Sequence, residues 1–162
     1  MLDGATALAL STKFGQDLLV QKVKEPKLFW RSLSHTGDCW FEAVFDFPRL
    51  RLLSVTFNSF SDTKSEFIAE NLQSILLEAR KLNPSFLKSD HGFLVRTNLT
   101  FPRNWGLGTS STLINNIAQW AVVDAYQLLK NSFSGSGYDI ASAQHNFPIF
   151  YQLKNKKPVV MP

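Results

Sequence analysis

Alternation of apolar and polar side chains predicts most of the strands in this chain. The clearest case is residues 39–47, where the acidic residues Glu42 and Asp46 face away from an apolar set. That apolar set occupies every second position and comprises Cys39, Phe41, Ala43, Phe45 and Phe47. Such a period of two indicates a half-buried strand, which Pro48 ends. Weaker patterns predict further strands at residues 17–23, 27–33, 51–57, 93–101 and 148–153.

Two longer segments carry apolar residues at helical spacing. The first runs from Thr63 to about Leu82, begins with a Thr63–Glu66 capping box and is stopped by Asn83-Pro84. Its apolar face is Phe67, Ile68, Leu72, Ile75, Leu76 and Ala79. The second is predicted as one helix over residues 113–129, and a short helix is predicted at 139–143. Strands followed by helices and a returning strand predict an α+β fold.

Composition narrows the class of protein without naming a function. The 162 residues suffice for one domain with a substantial core, and 44% hydrophobic and 19% charged residues are ordinary for a globular protein. The single Cys39 cannot form an internal disulfide, which fits a reducing cytoplasm. No apolar run reaches membrane-spanning length, so no membrane partner is expected. The net charge of +4 is dispersed apart from residues 154–157, so no nucleic-acid partner is expected either.

Candidate chemistry is concentrated in residues 102–112, between a predicted strand and a predicted helix. Gly106 and Gly108 stand one residue apart and are followed by four hydroxyl residues. Glycine permits close backbone approach to a ligand, and the first turn of a helix offers unpaired N–H groups, so the stretch predicts a phosphate site. A P-loop is excluded because no Lys precedes the hydroxyls, and a dinucleotide fingerprint is excluded because Ser111 replaces its third glycine. A turn that simply caps the helix remains the alternative.

Two segments resemble motifs of the GHMP kinases, a family that includes galactokinase, homoserine kinase, mevalonate kinase and phosphomevalonate kinase. Residues 102–111 read Pro-Arg-Asn-Trp-Gly-Leu-Gly-Thr-Ser-Ser, which resembles the family's phosphate-binding motif with Thr109 in place of its first Ser. Residues 135–143 resemble the Ser-Gly-x-Asp segment of the mevalonate and phosphomevalonate branch. The resemblance implies the N-terminal, ATP-binding domain, with a left-handed β-α-β unit and a mixed sheet packed against helices.

The resemblance also implies roles for individual residues, with ATP and Mg²⁺ as cofactors. Asp139 would be the catalytic group, acting on the substrate hydroxyl as a base or by orienting it, although it could instead cap the short helix. Ser110 would ligate the magnesium ion, and Ser136 and Gly137 would bind the substrate. Residues 126–133 contain no carboxylate where mevalonate kinases carry a metal-binding Glu. The nucleotide phosphates would bind Pro102, Gly106, Leu107, Gly108, Thr109, Ser110 and Ser111.

The resemblance sets an expected domain organisation as well. It implies that residues 1–153 form the N-terminal domain without its first strand, and that residues 154–162 are a linker toward an absent C-terminal domain. A chain truncated at both ends would pair with that domain or dimerise through an exposed sheet edge. The expected function is ATP-dependent phosphorylation of a hydroxyl or phosphate group on a small, mevalonate-like molecule, with little activity in this piece alone. The alternative is a kinase remnant that binds nucleotide without catalysis or serves as an interaction module.

Overall fold

The predicted strands and helices occur in the predicted order in the computed structural model, which describes residues 4–58 and 63–162, apart from the side chains of 63–65. The capping box at Thr63 and Glu66 therefore falls partly outside the described residues. Two further strands, Ala7–Ala9 and Lys157–Met161, were not predicted. The strands are β1 (Ala7–Ala9), β2 (Gln16–Val23), β3 (Lys27–Leu33), β4 (Cys39–Asp46), β5 (Leu52–Phe57), β6 (Gly92–Leu99), β7 (Ile149–Lys154) and β8 (Lys157–Met161). The α-helices are α1 (Thr63–Leu82), α2 (Thr109–Ala121), α3 (Ala125–Ser132) and α4 (Tyr138–Ala143). None of these helices is both long enough and apolar enough to cross a membrane.

The larger sheet has five strands in the order β2-β6-β3-β4-β5. Only the β3–β6 pair is parallel, and the β2–β6, β3–β4 and β4–β5 pairs are antiparallel. This sheet is mixed and packs against helices, so the predicted α+β class with a mixed sheet is confirmed.

Apolar side chains of the sheet and of α1 and α2 form the main core. Phe41, Ala43 and Phe45 are buried, which confirms the alternation expected along β4. On α1, the core positions are Leu72, Ile75, Leu76 and Ala79. Phe67 was expected on this buried face but is 63% exposed, and it borders a cavity with Ile68 and Leu72 instead of packing in the core.

The start of β6 lies beneath the chain that connects β2 to β3. Those two strands follow one another in sequence, but β6 is hydrogen-bonded between them. A Cβ atom on Gly92 would lie 1.9 Å from the carbonyl oxygen of Glu25 and 2.2 Å from that of Lys27. Both are backbone atoms, so the close passage requires glycine at this position.

The helix predicted over residues 113–129 is two helices, which corrects that interpretation. Val122 adopts a left-handed conformation (φ 55°) and ends α2. Asp124 then caps α3, accepting a 2.7 Å hydrogen bond from the backbone N–H of Gln127. Apolar spacing continues across the break, but a β-branched residue loses side-chain freedom in a helix and an aspartate favours an N-cap. The local hydrogen bond therefore decides the boundary.

The smaller sheet contains the segment that was expected to be a linker. Its order is β1-β7-β8, all antiparallel, and β8 occupies most of residues 154–162. Asn155 and Lys156, both at positive φ, form the two-residue turn that favours such a hairpin. Ala9, Ile149 and Tyr151 are buried on the inner face, which α4 covers. On the outer face, Leu8, Phe150 and Met161 lie opposite one another and are exposed; we call them the outer row.

Candidate functional site

Two left-handed glycines shape the loop between β6 and α2. Phe101 is buried and fixes the end of the strand, and Pro102 precedes a single turn of 3₁₀ helix, Arg103–Trp105. Gly106 (φ 69°) ends that turn and Gly108 (φ 68°) precedes α2. Side chains other than hydrogen are disfavoured at such angles, so both glycines are required by backbone geometry.

Helix α2 begins at Thr109, four residues before the predicted start at residue 113. Its N-cap is Gly108, and no described side chain accepts a hydrogen bond from the N–H groups of its first turn. The hydroxyl of Thr112 instead donates to the side-chain oxygen of Gln16 (2.9 Å) and to the carbonyl oxygen of Thr109 (3.0 Å). The hydroxyls therefore do not cap the helix, and the positive end of its dipole stays available to an anion.

Asp139 lies against the glycine loop, although 30 residues separate it from Gly108 in the chain. A Cβ atom on Gly108 would lie 2.9 Å from Cγ and 3.0 Å from Oδ2 of Asp139. The N-cap of α4 is Gly137, and Asp139 sits within the first turn without making a capping bond. The structure thus brings the two motif-like segments into contact, and it does not support the capping alternative for Asp139.

Aromatic packing fixes the segment that leads to Asp139. A Cβ atom on Gly137 would lie 2.8 Å from Cδ1 of Tyr126, and the Tyr151 hydroxyl donates to the carbonyl oxygen of Ser136. Ser136 and Gly137, expected to bind substrate, instead line a separate cavity that also contains Asp124 and Lys156. They position the start of α4, and the structure does not place them in the cleft that contains Asp139.

One cleft beside the loop is lined mainly by hydroxyl and carboxamide groups, and we call it the polar cleft. It has a volume of about 460 Å³, and Gly106, Leu107 and Asp139 form one side of it. The hydrogen-bonding side chains around it include Ser11, Thr12, Gln16, Thr112, Asn115, Asn116, Gln119 and Ser142. These groups suit a small ligand that carries hydroxyls.

A second cleft lies on the other side of the start of α2, and we call it the aromatic cleft. It has a volume of about 310 Å³, and Thr109 and Ser110 line it together with aromatic residues. Those aromatic residues are Trp30, Trp40, Phe41, Phe67 and Phe133. Gly106, Leu107 and Thr112 line the polar cleft, whereas Thr109, Ser110 and Leu113 line the aromatic cleft, so the glycine loop and the first turn of α2 form a shared wall between them. Ser110 therefore faces a different cleft from Asp139.

Two site residues were missed in the sequence. Asn115 is 4% exposed and lines the polar cleft, and its Oδ1 accepts a 2.9 Å hydrogen bond from Gln144. A polar residue among the apolar positions of α2 was the available signal. Arg103 lies at a position that the Pro-x-x-x-Gly pattern leaves open, and its guanidinium stacks on Trp40. No sequence signal indicated that contact.

Comparison with known proteins adds no assignment to this geometry. The chain matched no family model, no curated protein and no solved structure. Among the residues described, no cluster of three or more His, Cys, Asp or Glu side chains could hold a metal ion. The kinase resemblance therefore stays a prediction from two motifs, and the contact between those motifs is a separate observation.

Tyr126, which packs over Gly137, gives the site a measurable pH signature. Burial, reinforced by Tyr151 and Asp124, raises the pKa of Tyr126 to about 12 from the usual value near 10. The folded state therefore favours the neutral phenol, and this contribution to stability is complete below pH 10 and is lost as pH rises toward 12. Burial also raises the pKa of Tyr151, so we expect alkaline absorbance titration to show two late-ionising phenols, of which Tyr126→Phe removes the later. Ionisation of all three tyrosines near pH 10 in folded protein would contradict this.

Proposed function

We propose that this chain is the nucleotide-binding part of a GHMP-type small-molecule kinase, which transfers a phosphoryl group from ATP to a hydroxyl of a small, mevalonate-like acceptor. The observation that carries the proposal is the contact between Asp139 and Gly108. It joins a candidate base, which the resemblance suggests, to a candidate phosphate loop, which the glycines and hydroxyls suggest by themselves. The left-handed β-α-β unit of that family forms part of the same proposal.

Phosphoryl transfer requires positioned phosphates and a group that orients or deprotonates the attacking hydroxyl. The loop from Gly106 to Ser111 would supply the first requirement through backbone N–H groups that no described side chain caps. Asp139 would supply the second, because its carboxylate lines the polar cleft beside the loop. A hydroxyl bound there could donate a hydrogen bond to Asp139 while its oxygen faces the phosphate.

The two clefts would provide separate binding sites for the phosphoryl donor and the acceptor. The aromatic cleft offers flat apolar surfaces suited to a nucleotide base, next to Ser110 at the start of α2. The polar cleft offers hydroxyls and carboxamides suited to an alcohol. Because the glycine loop lies between the clefts, a phosphate held on the loop would lie between the two ligands, as transfer requires.

Magnesium would fit this arrangement only with help from the nucleotide. Ser110 is exposed, and its hydroxyl is a hard oxygen donor of the kind that Mg²⁺ prefers. The segment 126–133 offers no carboxylate, so phosphate oxygens would have to complete the ligand set. When bound, Mg²⁺ would supply positive charge that offsets the charge developing on the phosphoryl group.

A second candidate function is supported by the outer row. Leu8, Phe150 and Met161 expose 52%, 48% and 36% of their surface on one face of the small sheet. Adjacent exposed apolar side chains are typical of a surface that meets another protein surface. This favours the interaction module, or a kinase piece that pairs with a further domain. Efficient turnover of ATP with an alcohol by the chain alone would exclude the non-catalytic alternative.

Calorimetric titration with Mg·ATP tests nucleotide binding directly, with Gly108→Val as the decisive variant. We expect the unmodified chain to bind and Gly108→Val to lose binding, because the added side chain would occupy the space between the loop and Asp139. Gly37→Val is the matched control, since Gly37 is also left-handed (φ 88°) but has no neighbouring atom within 4 Å of an added Cβ. Equal ATP affinity in folded Gly108→Val would refute the phosphate site.

A further inference from the structure

Arg103 holds its guanidinium flat against an aromatic ring beside the glycine loop. Its Cζ atom lies 3.5 Å from the ring centroid of Trp40 and 6.0 Å from that of Phe57. A guanidinium stacked in this way keeps its plane fixed while its N–H groups project from the edge. The stacking therefore orients a fork of donors before any ligand arrives.

Three other arginines are already paired within the chain. Arg31 bonds Glu42 at 2.7 Å and Arg51 bonds Asp46 at 2.6 Å. Arg80 donates to backbone carbonyl groups. Among residues 4–58 and 63–162, no carboxylate lies within ion-pair distance of Arg103. Its stacked donors remain available for an anion.

The position of Arg103 identifies which anion it could reach. Arg103 lines the aromatic cleft together with Thr109 and Ser110, the first two residues of α2. Arg103 is exposed overall, but its guanidinium is partly desolvated where it packs on Trp40, which lowers its pKa. An oxyanion in this cleft would meet the hydroxyls and the guanidinium in surroundings less polar than water, where each attraction is strengthened.

We propose that Arg103 binds the polyphosphate chain of the nucleotide from the aromatic cleft, on the opposite side of the loop from Asp139. The identity of the donor rests on the proposed kinase function, but the recognised chemistry is a polyphosphate. Asp139 would then face the acceptor, and Arg103 would hold the donor against the loop. Arg103 is a binding residue additional to the glycine motif.

Titration with three probes separates this role from simple packing on Trp40. Inorganic tripolyphosphate carries the phosphates without a base, adenosine carries the base without phosphates, and ATP carries both. We expect Arg103→Ala to weaken tripolyphosphate and ATP by roughly tenfold or more, as loss of a charge-assisted bond predicts. Adenosine binding should be unchanged. Arg103→Lys should recover part of the loss, because the charge returns without the fork.

Arg96→Ala is the matched control, since Arg96 is exposed on β6 and its loss changes the net charge equally. Retained tripolyphosphate affinity in Arg103→Ala, an equal loss in Arg96→Ala, or an equal loss of adenosine would each overturn the inference. Tripolyphosphate binding that depends on Arg103, with ATP bound no more tightly than tripolyphosphate and no adenosine bound, would refute the nucleotide-dependent kinase function and leave the inference standing. A folded unmodified chain that binds no polyphosphate would refute both. Thermal melting checks that every variant is folded.

Discussion

Asp139→Asn is expected, in the complete enzyme that the kinase proposal implies, to lower kcat by about a hundredfold or more, with nearly unchanged affinity for ATP. The substitution keeps the size of the side chain that contacts Gly108 but removes the charge that would accept the substrate proton. Because the transition state alone benefits from proton removal, the loss should appear in kcat. The measurement is ADP release with mevalonate and other short hydroxy compounds as acceptors, alongside calorimetric titration with ATP.

Asp90→Asn provides the matched control, because Asp90 is an exposed carboxylate in the turn before β6, outside both clefts. Its turnover should equal that of the unmodified protein. The alternative is a structural role for Asp139. In that case Asp139→Asn would leave kcat unaltered and change the free energy of unfolding by about 1 kcal/mol or less, which is the size of a charge effect in the first turn of a helix. That result would leave the polar cleft without its proposed base.

Gly92→Ala is expected to lower the free energy of unfolding by about 3 kcal/mol or more, the upper end for overpacking in a closed site. The added methyl group would meet the backbone of Glu25 and Lys27 and not a side chain that could rotate away. Relief requires the connection to lift from β6, which would separate strands in the middle of the sheet. Urea unfolding followed by circular dichroism gives the free energy.

Gly15→Ala isolates the effect of the close passage from the general effect of replacing glycine. Gly15 has no atom within 4 Å of an added Cβ and does not have positive φ. We expect its stability to change little or to rise slightly, since alanine restricts the unfolded chain. Equal stability of Gly92→Ala and Gly15→Ala would show that the connection between β2 and β3 adjusts without cost.

Strands β3 and β4 were predictable from the sequence because one face of each is more buried than the other. The period of two along residues 27–33 and 39–47 follows directly from burial on one side, and these elements lie where expected. The break at Val122 and the strand β8 were not predictable in the same way. The break is set by a single capping hydrogen bond, from the backbone N–H of Gln127 to Asp124. Strand β8 begins with Lys157 and Pro158, which do not favour a strand, so its pairing with β7 outweighs the polar composition of the segment.

Some features of the candidate site were also predictable from the sequence, and others were not. Glycine spacing and the hydroxyl run predicted a loop with an open helix start, because those properties belong to adjacent residues. The stacking of Arg103 on Trp40 and the burial of Gly137 under Tyr126 depend on side chains from distant parts of the chain. No local pattern encodes such contacts, so the sequence did not show that Ser136 and Gly137 line a separate cavity or that Arg103 lies beside the loop.

The placement of β6 between β2 and β3 constrains the order of events during synthesis on the ribosome. Strands β2 to β5 are made first, yet β2 and β3 are not neighbours in the sheet and cannot complete it by themselves. Residues 92–99 must be translated before this gap can be filled, and until then the facing edges of β2 and β3 lack partners. Unpaired edges of that kind attract other chains. A chaperone would therefore matter most after β2 to β5 have been synthesised and before β6 is available to pair with them.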